Sequence, residues 1–312
     1  MEFIYLVTGL VLLLTSGEYL VRGAVSLSSH FKISKLLVGI VVVSLGTSAP
    51  ELVVSIDAAL KGHPDISTGN VIGSNISNIA LVLGLTAILI PVFVKKESLK
   101  WDWSMMMFSS ILLYFFMLNL WIEWWEGTIF VALLTSYIYI SIHNSRKKER
   151  KLGLNIVKPR YSLLVSVTLV VLSSFGLVYG ADFLVKGAAK IAEKYGVSER
   201  VISVSLVAFG TSLPELATSV MAAVKKEADI FVGNIIGSNI YNILAILGIT
   251  SIVKEIQVNP GIINWDIFWM LAISMLLFIF ALPLKTCKLS RWNGLLLVIS
   301  YSSYIYLVLL NN

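Results

Sequence analysis

Gly46-Thr47-Ser48-Ala49-Pro50-Glu51 and Gly69-Asn70-Val71-Ile72-Gly73-Ser74-Asn75-Ile76 decide how this chain is read, because both are written twice. They return as Gly210-Thr211-Ser212-Leu213-Pro214-Glu215 and Gly233-Asn234-Ile235-Ile236-Gly237-Ser238-Asn239-Ile240. The offset is constant at 164 residues (215 − 51), and 25 of the 51 residues in 34–84 match those in 198–248 without a gap. Each block sets glycine, proline and polar side chains inside an otherwise apolar run. Burying such groups is costly unless they find partners, and their duplication implies that both copies act together.

The surroundings of these blocks are lipid-like. The chain of 312 residues is 57% hydrophobic and 13% charged, with mean hydropathy +0.86, whereas soluble domains carry about 25% charged residues. Several windows exceed the roughly 20 apolar residues that cross a bilayer core. The net charge of +6 comes from Lys and Arg between apolar spans rather than from a basic face, which argues against a nucleic-acid partner. The single cysteine, Cys287, permits no intrachain disulfide. The N-terminus lacks the basic start of a signal peptide, and Glu18-Tyr19-Leu20-Val21-Arg22-Gly23-Ala24 recurs as Asp182-Phe183-Leu184-Val185-Lys186-Gly187-Ala188, so it reads as part of the mature fold.

Apolar runs place ten spans, near 3–21, 36–60, 68–94, 103–121, 127–144, 161–185, 200–224, 230–253, 264–283 and 293–310. Spans of this length are helices, since barrel strands are about half as long and alternate. The expected fold is therefore an all-α polytopic membrane protein. Residues 1–145 form a first five-helix repeat, 146–160 a basic connection, and 161–312 a second five-helix repeat. With the central connection in the cytoplasm, 18 of the 24 Lys and Arg fall on that side and six on the other, which puts both termini outside the cytoplasm. An odd number of helices per repeat makes the copies enter the membrane from opposite faces. Such inverted repeats are a recurring design of secondary transporters, with the site at the midplane where helices break.

Proline and glycine in the first block are expected to free the carbonyls of Ser44 and Leu45, and of Ala208 and Phe209, from the helical ladder. Beside them stand the hydroxyls of Thr47, Ser48, Thr211 and Ser212 and the carboxylates of Glu51 and Glu215. A carboxylate deep in a bilayer costs at least about 2.5–3.5 kcal/mol on insertion scales, and no Lys or Arg lies in these spans near either glutamate. The expected partner is a cation from outside the chain, rather than a proton on each acid. In the second block Asn70, Ser74 and Asn78 share one helix face, as do Asn234, Ser238 and Asn242. The Gly69/Gly73 and Gly233/Gly237 steps admit a close helix; the plainer reading is a packing seam with asparagine as glue. Carboxylate, hydroxyl, amide and carbonyl oxygens suit Ca²⁺ and Na⁺, while softer metals prefer His and Cys, which here lie in connections or at span ends.

Other acids carry less. Asp57 corresponds to Met221, which excludes a symmetric role. Glu18 and Asp182 sit near Arg22 and Lys186, where helix-end pairing is expected. The eight tryptophans, mainly at span ends, read as an interfacial belt.

The two pairs of blocks resemble the cation/Ca²⁺ exchanger superfamily, whose repeats carry G-T-S-x-P-E and then G-N-x-x-G-S-N. The resemblance covers essentially the whole chain and is to the compact prokaryotic members of the sodium/calcium exchanger family. It implies an antiporter, not an enzyme, in a plasma or inner membrane. It would exchange Ca²⁺ for Na⁺, or for H⁺ in some branches, by alternating access with spans 1 and 6 sliding on a rigid core. No cofactor, nucleic acid or obligatory protein partner is implied. By motif position, Glu51 and Glu215 are the central ligands of both ions. Thr47, Ser48, Ser74, Thr211, Ser212 and Ser238, the backbone carbonyls of Ser44 and Ala208, and Asn78 and Asn242 complete the set. Some relatives that need K⁺ carry aspartate at the position of Asn242, so K⁺ independence is expected here. A Ca²⁺/H⁺ antiporter would use the same carboxylates. A channel, or an intramembrane protease with paired acids, fits less well, since each glutamate follows a helix-breaking proline amid hydroxyls and lacks a nucleophile or histidine set.

Overall fold

The computed structural model describes residues 2–93, 96–152, 158–195, 208–281 and 288–311. Its helices are α1 (Glu2–Phe31), α2 (Lys35–Thr47), α3 (Ala49–Leu60), α4 (Pro64–Leu89), α5 (Lys100–Asn119) and α6 (Trp124–Leu152). They continue with α7 (Leu163–Lys194), α8 (Ala208–Thr211), α9 (Leu213–Val224), α10 (Ala228–Val253), α11 (Ile262–Ala281) and α12 (Arg291–Asn311). Eight of these are long and apolar enough to cross a membrane, and α2 with α3 makes a ninth candidate bent by 48°. The expected span at 200–224 is represented by α8 and α9; its opening residues lie outside those described, as does Cys287. The basic run 146–151 forms the last turns of α6.

The bend between α2 and α3 follows from local chemistry. Ser34 caps α2 by accepting the Leu37 N–H at 3.2 Å. The chain leaves helical geometry at Ser48 (φ −88°, ψ 9°), and Pro50 then stands in the first turn of α3, where its missing N–H costs nothing. α3 ends in a Schellman turn: Gly62 N–H meets Ala59 O at 3.2 Å and His63 N–H meets Ala58 O at 2.9 Å, with Gly62 at φ +83°. α9 ends in the same turn, through Lys226 to Ala223 and Glu227 to Ala222, but Lys226 must hold φ +60° without glycine's freedom.

At the centre stand α4 and α10. The apolar window of α10 is wholly buried and that of α4 83% buried, against 28% for α7 and 17% for α12. The second blocks therefore lie in the middle of the molecule. The fold is not purely helical. Four two-residue strands, β1 (Val92–Phe93), β2 (Trp121–Ile122), β3 (Ile256–Gln257) and β4 (Lys288–Leu289), pair antiparallel as β1 with β4 and β2 with β3.

α2 and α10 share one close seam, where a Cβ on Gly39 would lie 2.7 Å from Ile230 O and one on Gly233 only 2.3 Å from Leu36 O. Elsewhere the halves exchange contacts in equivalent pairs. Gly84 of α4 meets Gly294 of α12, and Gly248 of α10 meets Gly127 of α6. α1 lies along α7 with Gly9 and Gly180 at the crossing. Gly69 and Gly73 meet nothing within 4 Å among the described residues; the segment that the repeat sets opposite them, 200–204, is outside that set. A second duplicated feature escaped sequence reading: Tyr137 of α6 donates to the buried Asp102 of α5 at 2.7 Å, and Tyr304 of α12 to Asp266 of α11 at 3.0 Å. Trp103 belongs to the packing rather than to an interfacial belt, donating to Ser274 O at 2.9 Å and stacking on Phe278.

Candidate ion-binding site

Glu51 and Glu215 occupy the first turns of α3 and α9, immediately after the proline of each block. A helix N-terminus presents unpaired N–H groups and a partial positive charge, which favours a carboxylate there. Both side chains are buried, at 1% and 0% exposure, and they lie within electrostatic range of each other. Ser48, three residues before Glu51, donates across the molecule to Glu215 Oε1 at 3.1 Å. One hydroxyl thus ties the first block of one half to the glutamate of the other.

The second blocks close around this pair. Thr47 Oγ1 donates to Asn234 Oδ1 at 3.2 Å, and Ser44 Oγ to Asn234 O at 3.1 Å. Asn70 Nδ2 holds the Glu51 carbonyl at 3.2 Å and Ser55 Oγ at 3.0 Å. Asn242 Nδ2 reaches Asn75 Oδ1 at 2.9 Å, linking α10 to α4. Ser77 donates to Ser212 Oγ at 2.9 Å. Asn70, Asn75 and Asn234 therefore act as glue, the plainer of the two expectations. Ser77 was not singled out in the sequence; its position beside Asn78, one helical turn past Ser74, is the signal that would have found it.

One expectation fails. The Ser44 carbonyl stays in the ladder, accepting Ser48 N–H at 2.9 Å and Thr47 Oγ1 at 3.3 Å. The physical reason is register: a proline removes the bond to the residue four before it, so Pro50 deprives Gly46, not Ser44. Ala208 opens α8 at the edge of the described residues.

Polar atoms without partners gather at the same place. Glu51 Oε1 and Oε2, Glu215 Oε2, Asn78 Oδ1 and Nδ2, Asn242 Oδ1 and Ser238 Oγ are all buried and unbonded among the described residues. Native interiors satisfy most such atoms, so a cluster of exceptions asks for an explanation. Six of the seven are oxygens, five of them carboxylate or amide acceptors. Asn78 and Asn242 each open a π-helical segment, Asn78–Leu83 and Asn242–Leu247, a local rewinding that is frequent at functional sites. Ser74 and Ser212 are buried, while Thr211 is half-buried. Among the described residues no three His, Cys, Asp or Glu come together as a conventional metal cluster. The donors are two carboxylates with hydroxyls and amides, a hard-oxygen set.

A family model described as sodium/calcium exchanger protein matches residues 1–143 and 165–310. The chain belongs to the sodium/calcium exchanger family. Among similar proteins, the putative antiporter CaxA of Alkalimonas amylolytica is 34% identical over 98% of both chains. The sodium/calcium exchanger MaX1 of Methanosarcina acetivorans is 31% identical over 97% of both. The exchanger NCX_Mj, solved after soaking with 2.5 mM Na⁺ and 0.1 mM Ca²⁺, superposes with a TM-score of 0.83 at 33% identity, over 98% of this chain and 97% of that one. This member of the exchanger family is thus a multi-span cation/Ca²⁺ antiporter.

Proposed function

We propose that the chain exchanges Ca²⁺ for Na⁺ by alternating access through one site shared by its two halves, without a requirement for K⁺. Glu51 and Glu215 hold one Ca²⁺ or several Na⁺ ions. Thr47, Ser48, Ser74, Thr211, Ser212, Ser238, Asn78 and Asn242 supply further oxygens, with the Ala208 carbonyl. The Ser44 carbonyl, held in the ladder by the Ser48 N–H, is left out of the set. The reading rests on one observation above all: two buried carboxylates from different halves, with Ser48 of the Glu51 block bonded to Glu215 and three of the four carboxylate oxygens unbonded among the described residues. Relatives described as sodium/calcium exchangers support Na⁺ as the counter-ion. Asn242 leaves the site with two carboxylates, which supports K⁺ independence.

The repeats 1–145 and 161–312 are taken as two inverted five-helix units joined by the basic connection 146–160. The reciprocal contacts of α4 with α12 and α10 with α6, and of β1 with β4 and β2 with β3, support that symmetry. The distribution of Lys and Arg supports a cytoplasmic connection and outside termini in a plasma or inner membrane. Either ion load offsets the repulsion of the two carboxylates, so the loaded site can change its exposure while the empty, doubly charged site cannot do so cheaply. That restriction couples the two fluxes. In vesicles, an outward Na⁺ gradient should drive Ca²⁺ uptake without K⁺, and Glu51→Gln or Glu215→Gln should abolish it. Ca²⁺ uptake driven by a pH gradient and indifferent to Na⁺ would replace this reading with Ca²⁺/H⁺ exchange.

A further inference from the structure

The repeat sets Glu18 against Asp182, Arg22 against Lys186, Lys61 against Lys225 and Asp57 against Met221. The ion pairs do not respect it. Lys225, just past α9, bonds Glu18 of α1 at 2.7 Å, and Arg22 holds the same carboxylate from its own helix. The equivalent pair between elements would join Asp182 of α7 to Lys61, just past α3. Each of those residues turns instead to its own helix: Lys186 bonds Asp182 at 2.7 Å and Lys61 bonds Asp57 at 2.7 Å. Packing breaks the symmetry in the same sense. α1 lies along α9, so that a Cβ on Gly17 would be 3.1 Å from Ala217 O and 3.3 Å from Met221 Cγ. Among the described residues α7 and α3 form no comparable seam.

We propose that Glu18 with Lys225, and Asp182 with Lys61, are two alternative latches, one holding α1 against α9 and the other α7 against α3, closed in opposite facing states. The present structure has the first closed and the second open. The proposal rests on the inverted repeats and alternating access of the exchange reading. Exchanging the latches is cheap because most members keep a second partner. Glu18 falls back on Arg22, Asp182 on Lys186, and Lys61 on Asp57. Lys225 has no such acid, since Met221 stands where Asp57 does in the other copy. Opening the first latch therefore strands a lysine, whereas opening the second does not. Asp57, the one acid in this group without a repeat counterpart, biases the molecule toward the state seen here.

The test measures facing directly. With Cys287 replaced by serine, Met221→Cys places a thiol in the α1–α9 seam of the full-length chain in vesicles free of Na⁺ and Ca²⁺, and its alkylation rate reports opening. Lys225→Ala and Asp57→Asn should each raise that rate about two- to fivefold, the scale of an exposed ion pair. Lys61→Ala should lower it, and Lys225→Arg should leave it unchanged. Lys225→Ala and Lys61→Ala shifting the rate in the same direction, or neither shifting it, overturns the latch. Na⁺-driven Ca²⁺ uptake by the same vesicles separates the two readings. Uptake with unmoved alkylation removes the latch alone; opposed shifts without uptake keep the latch and remove the ion assignment.

Discussion

Ser48 shows how much one side chain can carry. Its hydroxyl is the link between a block of the first half and the glutamate of the second, at 3.1 Å from Glu215 Oε1. A hydrogen bond to a charged group contributes about 1.5–3 kcal/mol, so Ser48→Ala should weaken Ca²⁺ affinity about tenfold or more while leaving the fold intact. Half-saturation of Ca²⁺ uptake in vesicles checks this, and an unchanged value would show that the bond does not shape the site. Asn242 offers the converse change. Its Oδ1 is buried without a partner among the described residues. Asn242→Asp adds a third negative charge and should make uptake respond to K⁺ or to a larger number of Na⁺ ions. The Na⁺ dependence and the electrogenicity of exchange measure that response.

Among elements, the contact of α2 with α10 is a close cross-half seam. A methyl group at Gly233 would lie 2.3 Å from a backbone oxygen that cannot rotate away. Gly233→Ala should therefore push α2 from α10, costing about 1–3 kcal/mol of stability as overpacking does, and should impair exchange with it because Ser44 and Thr47 ride on α2. Thermal unfolding in detergent together with uptake tests both parts. The end of α9 makes a milder case. Lys226 holds φ +60° where the first copy has Gly62, so Lys226→Gly should relieve about 1 kcal/mol of backbone strain. A small rise in unfolding temperature with unaltered transport is the expected result.

At the scale of the whole molecule, the duplicated halves meet at α4 and α10, and everything that moves must move around them. The two central helices are the most buried parts of the chain, whereas α1 and α7 are largely uncovered and lie along each other at the margin. The proposed exchange by alternating access predicts that the site has no open path across the membrane, so vesicles loaded with Ca²⁺ but given no Na⁺ outside should retain it. Efflux under those conditions at the rate seen with Na⁺ would indicate a pore.

The membrane class, the repeat and the addresses of the polar blocks were legible in the chain. Apolar length, duplication and the placement of proline before Glu51 and Glu215 are properties of one dimension. So was the helix-end pairing of Glu18 with Arg22 and of Asp182 with Lys186, because residues four apart are neighbours on a helix. The Ser44 carbonyl was misread through a register error of two residues, and the buried pairs of Asp102 with Tyr137 and Asp266 with Tyr304 join helices whose relative rotation no local pattern encodes. Only the tertiary structure decided which hydroxyl meets which carboxylate, and that Glu18 takes Lys225 while Asp182 leaves Lys61 alone. Two similar copies written in one chain predict symmetry; this folded state departs from it at Glu18 and Asp182, because an ion pair between helices forms only where packing lays them alongside, as α1 lies on α9 while α7 has no such seam with α3 among the described residues.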